Sequence, residues 1–310
     1  MPIIKPFLRW AGGKRWLARQ LAPLLLSRMQ SSCTYLEPFL GSGAMFFAIQ
    51  PLKAILSDLN EDLITTYKQV ASSPEIITNH LRSIPSTRMD YEEIRRCQPK
   101  SQIEKAIRFI YLNRNCFGGL YRENKAGYFN VPYGGGDRNH YKMCVDSLIS
   151  KAAVLLNQSD VELNVCDFEH TIKRAKDGDI IYCDPTYREV TRRQFDRYGR
   201  IIFNWDDQAR LAELALDASR RGAIVIVSNT TCNGIRDLYN HAGVIKIRRP
   251  KGLAPSFCNQ DLVEYIFVLD PLQDWNAWEK LGDIQLPKHS SFHLAYSRHK
   301  ERMNENVVLR

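Results

Sequence analysis

Short runs of apolar and β-branched residues recur along the chain, and most of them end at a charge or a turn residue. Seven runs are predicted to be strands: 34–39, 53–58, 161–168, 179–185, 223–229, 243–249 and 262–269. Several are continuously apolar, as in Ala223–Val227, which is typical of strands covered on both faces. The pattern therefore predicts a sheet enclosed between helices.

Helical periodicity fills several of the intervals between these runs. It is clearest over 14–28 and 206–219, and the second stretch follows Asn204, a residue type favoured at helix N-caps. Its leucines and alanines recur on one stripe, as in a helix that packs against a core. Strands that alternate with helices predict an α/β fold with a parallel-type sheet, which binds its ligands at the carboxyl ends of the strands.

The alternation stops between about residues 60 and 159. This interval is largely helical and rich in Arg, Lys, Asn and Tyr, and near its end two strand-like pieces flank the turn sequence 123–127. Such a pattern predicts a hairpin. We expect residues 1–59 and 160–270 to form one discontinuous domain and 60–159 an inserted one, followed by a tail (271–310) without an assigned role.

Charge and cysteine content narrow the class of protein. The formal net charge is +9 over 310 residues, which favours a polyanionic partner such as nucleic acid, although an ordinary basic protein has the same balance. No two of the eight cysteines are separated by two residues, so neither a zinc ribbon nor a redox pair is indicated. With no signal-peptide pattern and no long apolar run, we expect a cytoplasmic protein whose thiols lie in the core.

Two strand ends carry residues suited to a nucleoside ligand. The run 34–39 leads into Gly41-Ser42-Gly43 and a helix, a turn at which backbone can approach a ligand closely. The dinucleotide fingerprint is incomplete because Phe46 occupies its third glycine position. The next strand ends in Asp58, whose carboxylate can bind two ribose hydroxyls. A nucleoside without an essential pyrophosphate fits this pattern, and a purely structural glycine turn fits it equally.

The sequence "DPTY" (184–187) begins at the end of the fourth predicted strand (179–185). A carboxylate at a strand end is costly to bury without a partner, so Asp184 should face a cleft or a donor. The Asp184 carboxylate and the Pro185 carbonyl can accept both hydrogens of an exocyclic amine, while the Tyr187 ring stacks on a base. This arrangement would make the amine nucleophilic.

Taken in order, five motifs make the chain resemble the DNA adenine N6-methyltransferases of the Dam type (α-group, D12 class). They are "FLRWAGGK" (7–14), "EPFLGSG" (37–43), "SDLNEDLI" (57–64), "YLNRNCFGGLYRENKAGYFNVPYG" (111–134) and "DPTY". The resemblance covers about 270 residues. It implies a Rossmann-like methyltransferase sheet of about seven strands with an inserted, mainly helical target-recognition domain that carries a β-hairpin.

The resemblance also implies roles for individual residues. S-adenosylmethionine would be bound by Trp10, Lys14, Phe39, Gly41, Asp58, Asp167 and Asp184. Within this set, Asp58 would hold the ribose and Asp167 the adenine amino group. Asp184, Pro185 and Tyr187 would hold the target adenine after it is flipped out of the duplex.

Further positions correspond to the DNA-contacting residues of the family. These are Arg9, Asn115, Gly118, Leu120, Arg122 and Pro132. Arg122 matches a base-reading arginine, which suits guanine and favours a site of the GATC kind. Asn113, Arg114 and Asn115 are candidates for phosphate contacts, but a helix-end hydrogen-bond network is the more common role. Gly118 departs from members that carry Asn there, which weakens the inference about the central bases.

The residue after Pro185 is Thr186, where a second proline is usual in the family. Because neither expected acceptor belongs to residue 186, we expect activity to survive this change. The basic loop 188–200 could follow phosphates or could simply be solvated.

The sequence therefore favours a metal-free, monomeric, nucleoid-associated enzyme that methylates double-stranded DNA. Alternatives are an RNA substrate, a different DNA site, or a DNA-binding relative that has lost catalysis.

Overall fold

The computed structural model describes residues 2–10, 12–124, 126–135, 145–158, 160–185, 203–231, 234–248 and 263–287. Its strands are β1 (Tyr35–Glu37), β2 (Lys53–Asp58), β3 (Asp160–Val165), β4 (Ile180–Cys183), β5 (Ile224–Thr230), β6 (Gly243–Arg248), β7 (Val263–Leu269) and β8 (Ile284–Gln285). All seven predicted strands are confirmed, with small shifts at their ends. The short β8 lies in the predicted tail, where two residues give too little pattern to be recognised.

The strands form one sheet in the order β3-β2-β1-β4-β5-β7-β6-β8. The first five in this order are parallel, whereas β7 is antiparallel to both β5 and β6, and β8 is antiparallel to β6. The expected parallel-type sheet is thus mixed at one side. As a consequence, the amino end of β7 lies at the same edge as the carboxyl ends of β1, β2, β4 and β5.

Helices cover both faces of the sheet. They are α1 (Arg15–Leu26), α2 (Ala44–Ile49), α3 (Glu61–Ser72), α4 (Pro74–Ser83), α5 (Arg88–Arg96), α6 (Gln102–Asn115), α7 (Asp146–Leu156), α8 (Phe168–Lys173), α9 (Trp205–Arg220), α10 (Ile235–Leu238) and α11 (Trp275–Trp278). Successive residues of β4 belong to two separate hydrophobic clusters, one on each face of the sheet. Ile180 is in the cluster that contains residues of α1 and α2, and Ile181 is in the cluster that contains residues of α8 and α9. The predicted enclosure on both faces is confirmed.

The predicted cap of α9 is confirmed as well. The Asn204 side chain accepts from the Asp207 N–H, and the Asp207 carboxylate accepts from the Asn204 N–H, both at 3.0 Å. This reciprocal arrangement satisfies two backbone donors at the helix start. It fixes the first turns of α9 beside α8, close to the carboxyl end of β3.

The interval 60–159 supplies α3–α7 and the predicted hairpin. Its two arms are joined by bridges between Cys116 and Tyr133 and between Glu123 and Phe129. Apolar side chains of α3–α7 belong to the same buried cluster as those of α1 and α2. The helices therefore pack continuously with one face of the sheet, and their separation as an inserted domain stays a prediction.

Two further expectations concern cysteines and membranes. Cys33, Cys116 and Cys183 are buried, but Cys97 is exposed and Cys166 half-exposed, so the prediction of core thiols is wrong for these last two. Cys97 directly follows α5 and caps it through its backbone, which leaves its side chain outside. Within the described ranges, no helix has the length and apolar character needed to cross a membrane.

Candidate active site

The glycine turn after β1 forms the centre of the site. Gly41 has φ +47°, and a Cβ there would lie 3.0 Å from two atoms of the Trp10 indole. Both the conformation and the close approach of the ring therefore require glycine. The Tyr67 hydroxyl donates to the Gly41 carbonyl at 3.0 Å. Trp10 and Gly41, both expected to bind the cofactor, are thus brought into contact.

Asp58, at the end of β2, faces this turn. Its carboxylate accepts from the backbone N–H of Gly41 and from that of Asn60, each at 3.0 Å. Burial raises the pKa of Asp58, and these backbone donors partly oppose the rise. Asn60 also caps α3 by accepting from Leu63, so the carboxylate is fixed to a rigid helix start.

Asp184 lies two strands away, just beyond β4. Its Oδ1 accepts from the Ser228 hydroxyl at 2.7 Å and lies 3.4 Å from Lys14 Nζ. Lys14, which was expected to bind the cofactor, is almost fully buried and also lies 3.2 Å from Glu264 Oε2. The Tyr182 hydroxyl donates to Ser228 Oγ at 3.4 Å. Asp184 is therefore held from β5 and from the segment before α1.

Sequence reasoning missed Glu264 and Ser228. Glu264 lies on β7, and the antiparallel orientation of β7 brings it to the edge of the sheet at which β1, β2, β4 and β5 end. An acid inside the otherwise apolar run 262–269 was the available signal, because a buried charge requires a partner. Ser228 near the end of β5 carried no comparable signal.

A further acid, Glu37, is buried at the end of β1. Its Oε2 accepts from the Tyr35 hydroxyl at 2.8 Å and from the Phe46 N–H at 3.0 Å. Burial raises the pKa of Glu37 to about 8; the two hydrogen bonds oppose the rise, and the charges of Asp184 and Asp58 add to it. Glu37 is therefore largely protonated at neutral pH. Sequence reasoning did not single out this residue, although it begins the motif 37–43.

Asp167 and Phe39 lie at the other side of the edge, near the end of β3. Asp167 caps α8 and forms a two-pronged ion pair with Arg210 of α9, with both N–O distances 2.9 Å. Arg210 also lies over the Phe168 ring, 4.2 Å from its centroid, and Phe168 stacks with Phe39 at 5.3 Å. Arg210 is a further residue that the sequence did not indicate.

The hairpin presents the residues expected to contact DNA. Gly118, Leu120 and Pro132 are exposed, and Arg9 and Arg122 are half-exposed. Arg122 Nε donates to the Asn130 side-chain oxygen on the opposite arm at 2.7 Å. The structure adds Phe117, whose side chain is 61% exposed beside Gly118.

Asn115 differs from the other expected DNA contacts. It is fully buried, and its amide donates to the Tyr111 carbonyl at 2.9 Å, so its expected contact with DNA stays a prediction that the burial does not favour. Asn113 is likewise buried and supports Arg9, accepting from its N–H at 2.8 Å and donating to its carbonyl at 2.7 Å. These hydrogen bonds favour the helix-end network for the two asparagines.

Pro185 is buried directly after Asp184. Thr186, Tyr187 and the basic loop 188–200 lie outside the described residues. The remaining expected positions converge on one edge of the sheet, with the hairpin joined to it through Arg9 and Trp10. The Asp184 carboxylate and the glycine turn thus lie at one edge of the sheet, and the hairpin with the half-exposed Arg9 and Arg122 adjoins it.

Comparisons with known proteins agree with this geometry. Residues 10–251 match the family of D12 class N6 adenine-specific DNA methyltransferases. The chain is 33% identical over 255 residues to the type II methyltransferase M1.LlaDCHI of Lactococcus lactis subsp. cremoris, covering 79% of this chain and 87% of the relative. It is 32% identical over 248 residues to M.MjaIII of Methanocaldococcus jannaschii, covering 73% and 84%. It is 28% identical over 274 residues to a DNA adenine methylase of Vibrio cholerae, covering 86% and 95%.

Proposed function

Because the chain belongs to the D12 class of N6 adenine-specific DNA methyltransferases, we propose that it methylates N6 of an adenine flipped out of duplex DNA, within GATC. The proposed methyl donor is S-adenosylmethionine. The observation that carries the proposal is the position of Asp184, a carboxylate held by Ser228 and Lys14 beside the glycine turn.

The residues of the edge fit the proposed donor. Gly41 lacks a side chain where the Trp10 ring closes over the turn, and the Asp58 carboxylate, partly exposed, is aligned by two backbone donors. Carboxylates at the ends of β2 and β4 suit a ligand that carries a positive charge. When bound, S-adenosylmethionine supplies the methyl group as part of a sulfonium. Trp10, Asp58 and Asp167 would hold its nucleoside part.

Asp184 and Pro185 would act on the target amine. The carboxylate and the carbonyl accept the two N6 hydrogens, which directs the nitrogen lone pair away from the ring system. The Ser228 hydroxyl and Lys14 fix Asp184 Oδ1, so the acceptor does not have to reorganise during the reaction. Flipping the adenine costs a few kcal/mol, and stacking on Tyr187 would offset part of that cost.

The hairpin would supply sequence recognition. An arginine can meet both major-groove acceptors of guanine, with about 1–3 kcal/mol of discrimination per base pair. Arg122 is aligned for such a role by Asn130 on the opposite arm. Arg9, held through its backbone by Asn113, would contact a neighbouring base pair, and Leu120 and Pro132 would add apolar contacts. The net charge of +9 favours attraction to the phosphate backbone.

Expression in a bacterial host that lacks adenine methylation tests the proposal. We expect host DNA to become resistant to enzymes that cut only unmethylated GATC, and sequencing of modified bases to place N6-methyladenine there. The Asp184→Ala variant, expressed to the same level, serves as the inactive control. Absence of any modified adenine would contradict the enzymatic proposal, whereas modification at unrelated sites would contradict only the GATC assignment.

A further inference from the structure

Tyr121 belongs to the first arm of the hairpin, between the bridges at Cys116 and Glu123, and its ring packs against Trp10 beside the glycine turn. Its ring stacks on the Trp10 indole with centroids 6.1 Å apart and an interplanar angle of 17°. On its other sides it packs against Phe109 of α6 and Phe129 of the hairpin, at 5.0 and 5.7 Å. The Trp10 indole also covers Gly41. The glycine turn and Tyr121 therefore contact the same indole ring.

The Tyr121 hydroxyl has two carboxylate acceptors. It donates to Glu123 Oε1 at 2.7 Å and lies within hydrogen-bonding distance of Asp62 Oδ2, at 3.2 Å. A phenolic hydroxyl carries a single proton, so it can serve only one of these acceptors well at a time. Burial raises the pKa of Tyr121, and both carboxylates raise it further, so the hydroxyl keeps its proton.

The two acceptors belong to the two different sites. Asp62 is in the first turn of α3, the helix capped by Asn60, whose N–H binds Asp58. Glu123 follows Arg122 and pairs with Phe129 within the hairpin. Asp62 is therefore connected to the Asp58 turn through the start of α3, and Glu123 belongs to the hairpin arm that carries Arg122.

The surroundings allow the proton to change partner. Asp62, Tyr121 and Glu123 line one open cavity of about 210 Å³, together with the cations Lys105 and Arg108. The open volume gives the carboxylates room to move without repacking of the core. The nearby cations offset the repulsion between the two acids.

We propose that Tyr121 couples occupancy of the cofactor site to the placement of the DNA-reading hairpin, through a hydroxyl proton shared between Asp62 and Glu123. The inference rests on the proposed function, since it requires both ligands. In one arrangement the hydroxyl bonds to Glu123 and holds the hairpin arm; in the other it bonds to Asp62 and holds the start of α3. A ligand that favours one arrangement changes the affinity for the other ligand, and the effect is reciprocal.

Binding titrations measure the coupling directly. The affinity for S-adenosylhomocysteine, which cannot methylate, is determined with and without a duplex containing the site identified in the host experiment. The ratio of the two dissociation constants is the coupling factor, expected to be about 5-fold or more in the wild type. The Tyr121→Phe variant keeps the ring stack and loses the hydroxyl, so its factor should fall toward 1. Its affinity for each ligand alone should stay within about 3-fold, as expected when the direct contacts are intact.

Two further variants separate coupling from general damage. Tyr111→Phe removes a different tyrosine hydroxyl, that of Tyr111 in α6, which donates to the Pro85 carbonyl, and this variant should retain the wild-type factor. Glu123→Gln weakens the hairpin acceptor, leaves the hydroxyl with Asp62, and should lower the factor as Tyr121→Phe does. A wild-type factor of 1, or an unchanged factor in Tyr121→Phe, would overturn the coupling alone. A wild-type protein that binds neither ligand would overturn the proposed function as well.

Discussion

Charged side chains are held in different ways at the proposed active-site edge of the sheet, which carries Asp58, Asp184 and Glu264, and in the hairpin (116–133). At the edge, Lys14 is buried between Asp184 and Glu264, partners that lie far from it in the sequence. In the hairpin, Arg122 is half-exposed and bound to Asn130, eight residues away. The charged side chains of the edge are therefore held by distant segments, whereas Arg122 is oriented by the opposite arm of its own hairpin.

This difference indicates a division of labour. Chemistry on an exocyclic amine needs acceptors fixed before the substrate arrives, and contacts from several distant segments provide that rigidity. Reading a base needs a side chain that can reach the groove, and local contacts suffice to orient it. Substitutions at the edge should lower activity on every DNA sequence alike, whereas substitutions in the hairpin should change the preference among sequences.

The largest expected effect is that of Asp184→Ala. Removal of the proposed acceptor of the target amine should lower kcat/KM by about 10³-fold or more, the scale seen when a preorganised electrostatic contact is deleted. Tritiated methyl transfer to duplex DNA gives the rate, and the loss should be equal on good and poor sites. Thr186→Pro is the adjacent control and should stay active. A normal rate for Asp184→Ala would refute the assignment of this carboxylate.

Arg122→Ala should alter the preference among DNA sequences rather than the rate of methyl transfer itself. The ratio of kcat/KM between the preferred site and a site changed at one guanine should fall by about 5- to 150-fold, corresponding to about 1–3 kcal/mol of lost discrimination. Arg82→Ala, which removes an exposed arginine paired with Asp146 of α7, should keep the ratio. An equal loss on both sites for Arg122→Ala would place this residue among general phosphate contacts.

Ser228→Ala tests whether the edge is held as tightly as its geometry indicates. The variant loses the 2.7 Å hydrogen bond to Asp184 Oδ1 and should lower kcat by about 10-fold, the value of one hydrogen bond to a charged group. KM for DNA should change little, because Ser228 is buried beneath the site. Ser57→Ala removes another buried hydroxyl, paired with Thr171, and should leave kcat unchanged. Similar losses in both variants would indicate general destabilisation.

The sequence predicted the backbone of this arrangement better than its contacts. The sequence pattern located every strand from β1 to β7, most clearly β4 and β5, because strands covered on both faces leave a continuous apolar run. The glycine turn and Asp58 were recognised because each ends a strand. The orientation of β7 was not predictable in this way, since an antiparallel strand has the same apolar pattern, and so Glu264 was missed.

Long-range pairing explains the other differences. The cofactor role expected for Lys14 stays a prediction, and its position between two acids depends on how α1 packs on the sheet. Asn115 was expected at the DNA surface, yet the final turn of α6 points it inward. Arg210 pairs with Asp167, which lies 43 residues away. No local spacing encodes these contacts, because packing of separate elements creates them.

The smallest expected effect concerns Glu37, an acid that is buried at the end of β1, whereas Arg122 of the hairpin is half-exposed. Its pKa is raised to about 8 in the folded protein, so between about pH 4.5 and 8 the folded state binds more protons than the unfolded state, and stability falls as pH rises. Glu37→Gln keeps a side-chain acceptor for Tyr35 and Phe46 and removes the titration. Urea unfolding at pH 5 and pH 8 measures this effect. From pH 5 to pH 8, the free energy of unfolding should fall by at least about 1 kcal/mol more in the wild type than in the variant.

Glu162→Gln, which removes an exposed acid paired with Arg174, is the control, and its free energy of unfolding should depend on pH as that of the wild type does. Parallel pH profiles for wild type and Glu37→Gln would mean that the buried carboxyl is ionised at neutral pH, and that the edge carries one more negative charge than its geometry indicates.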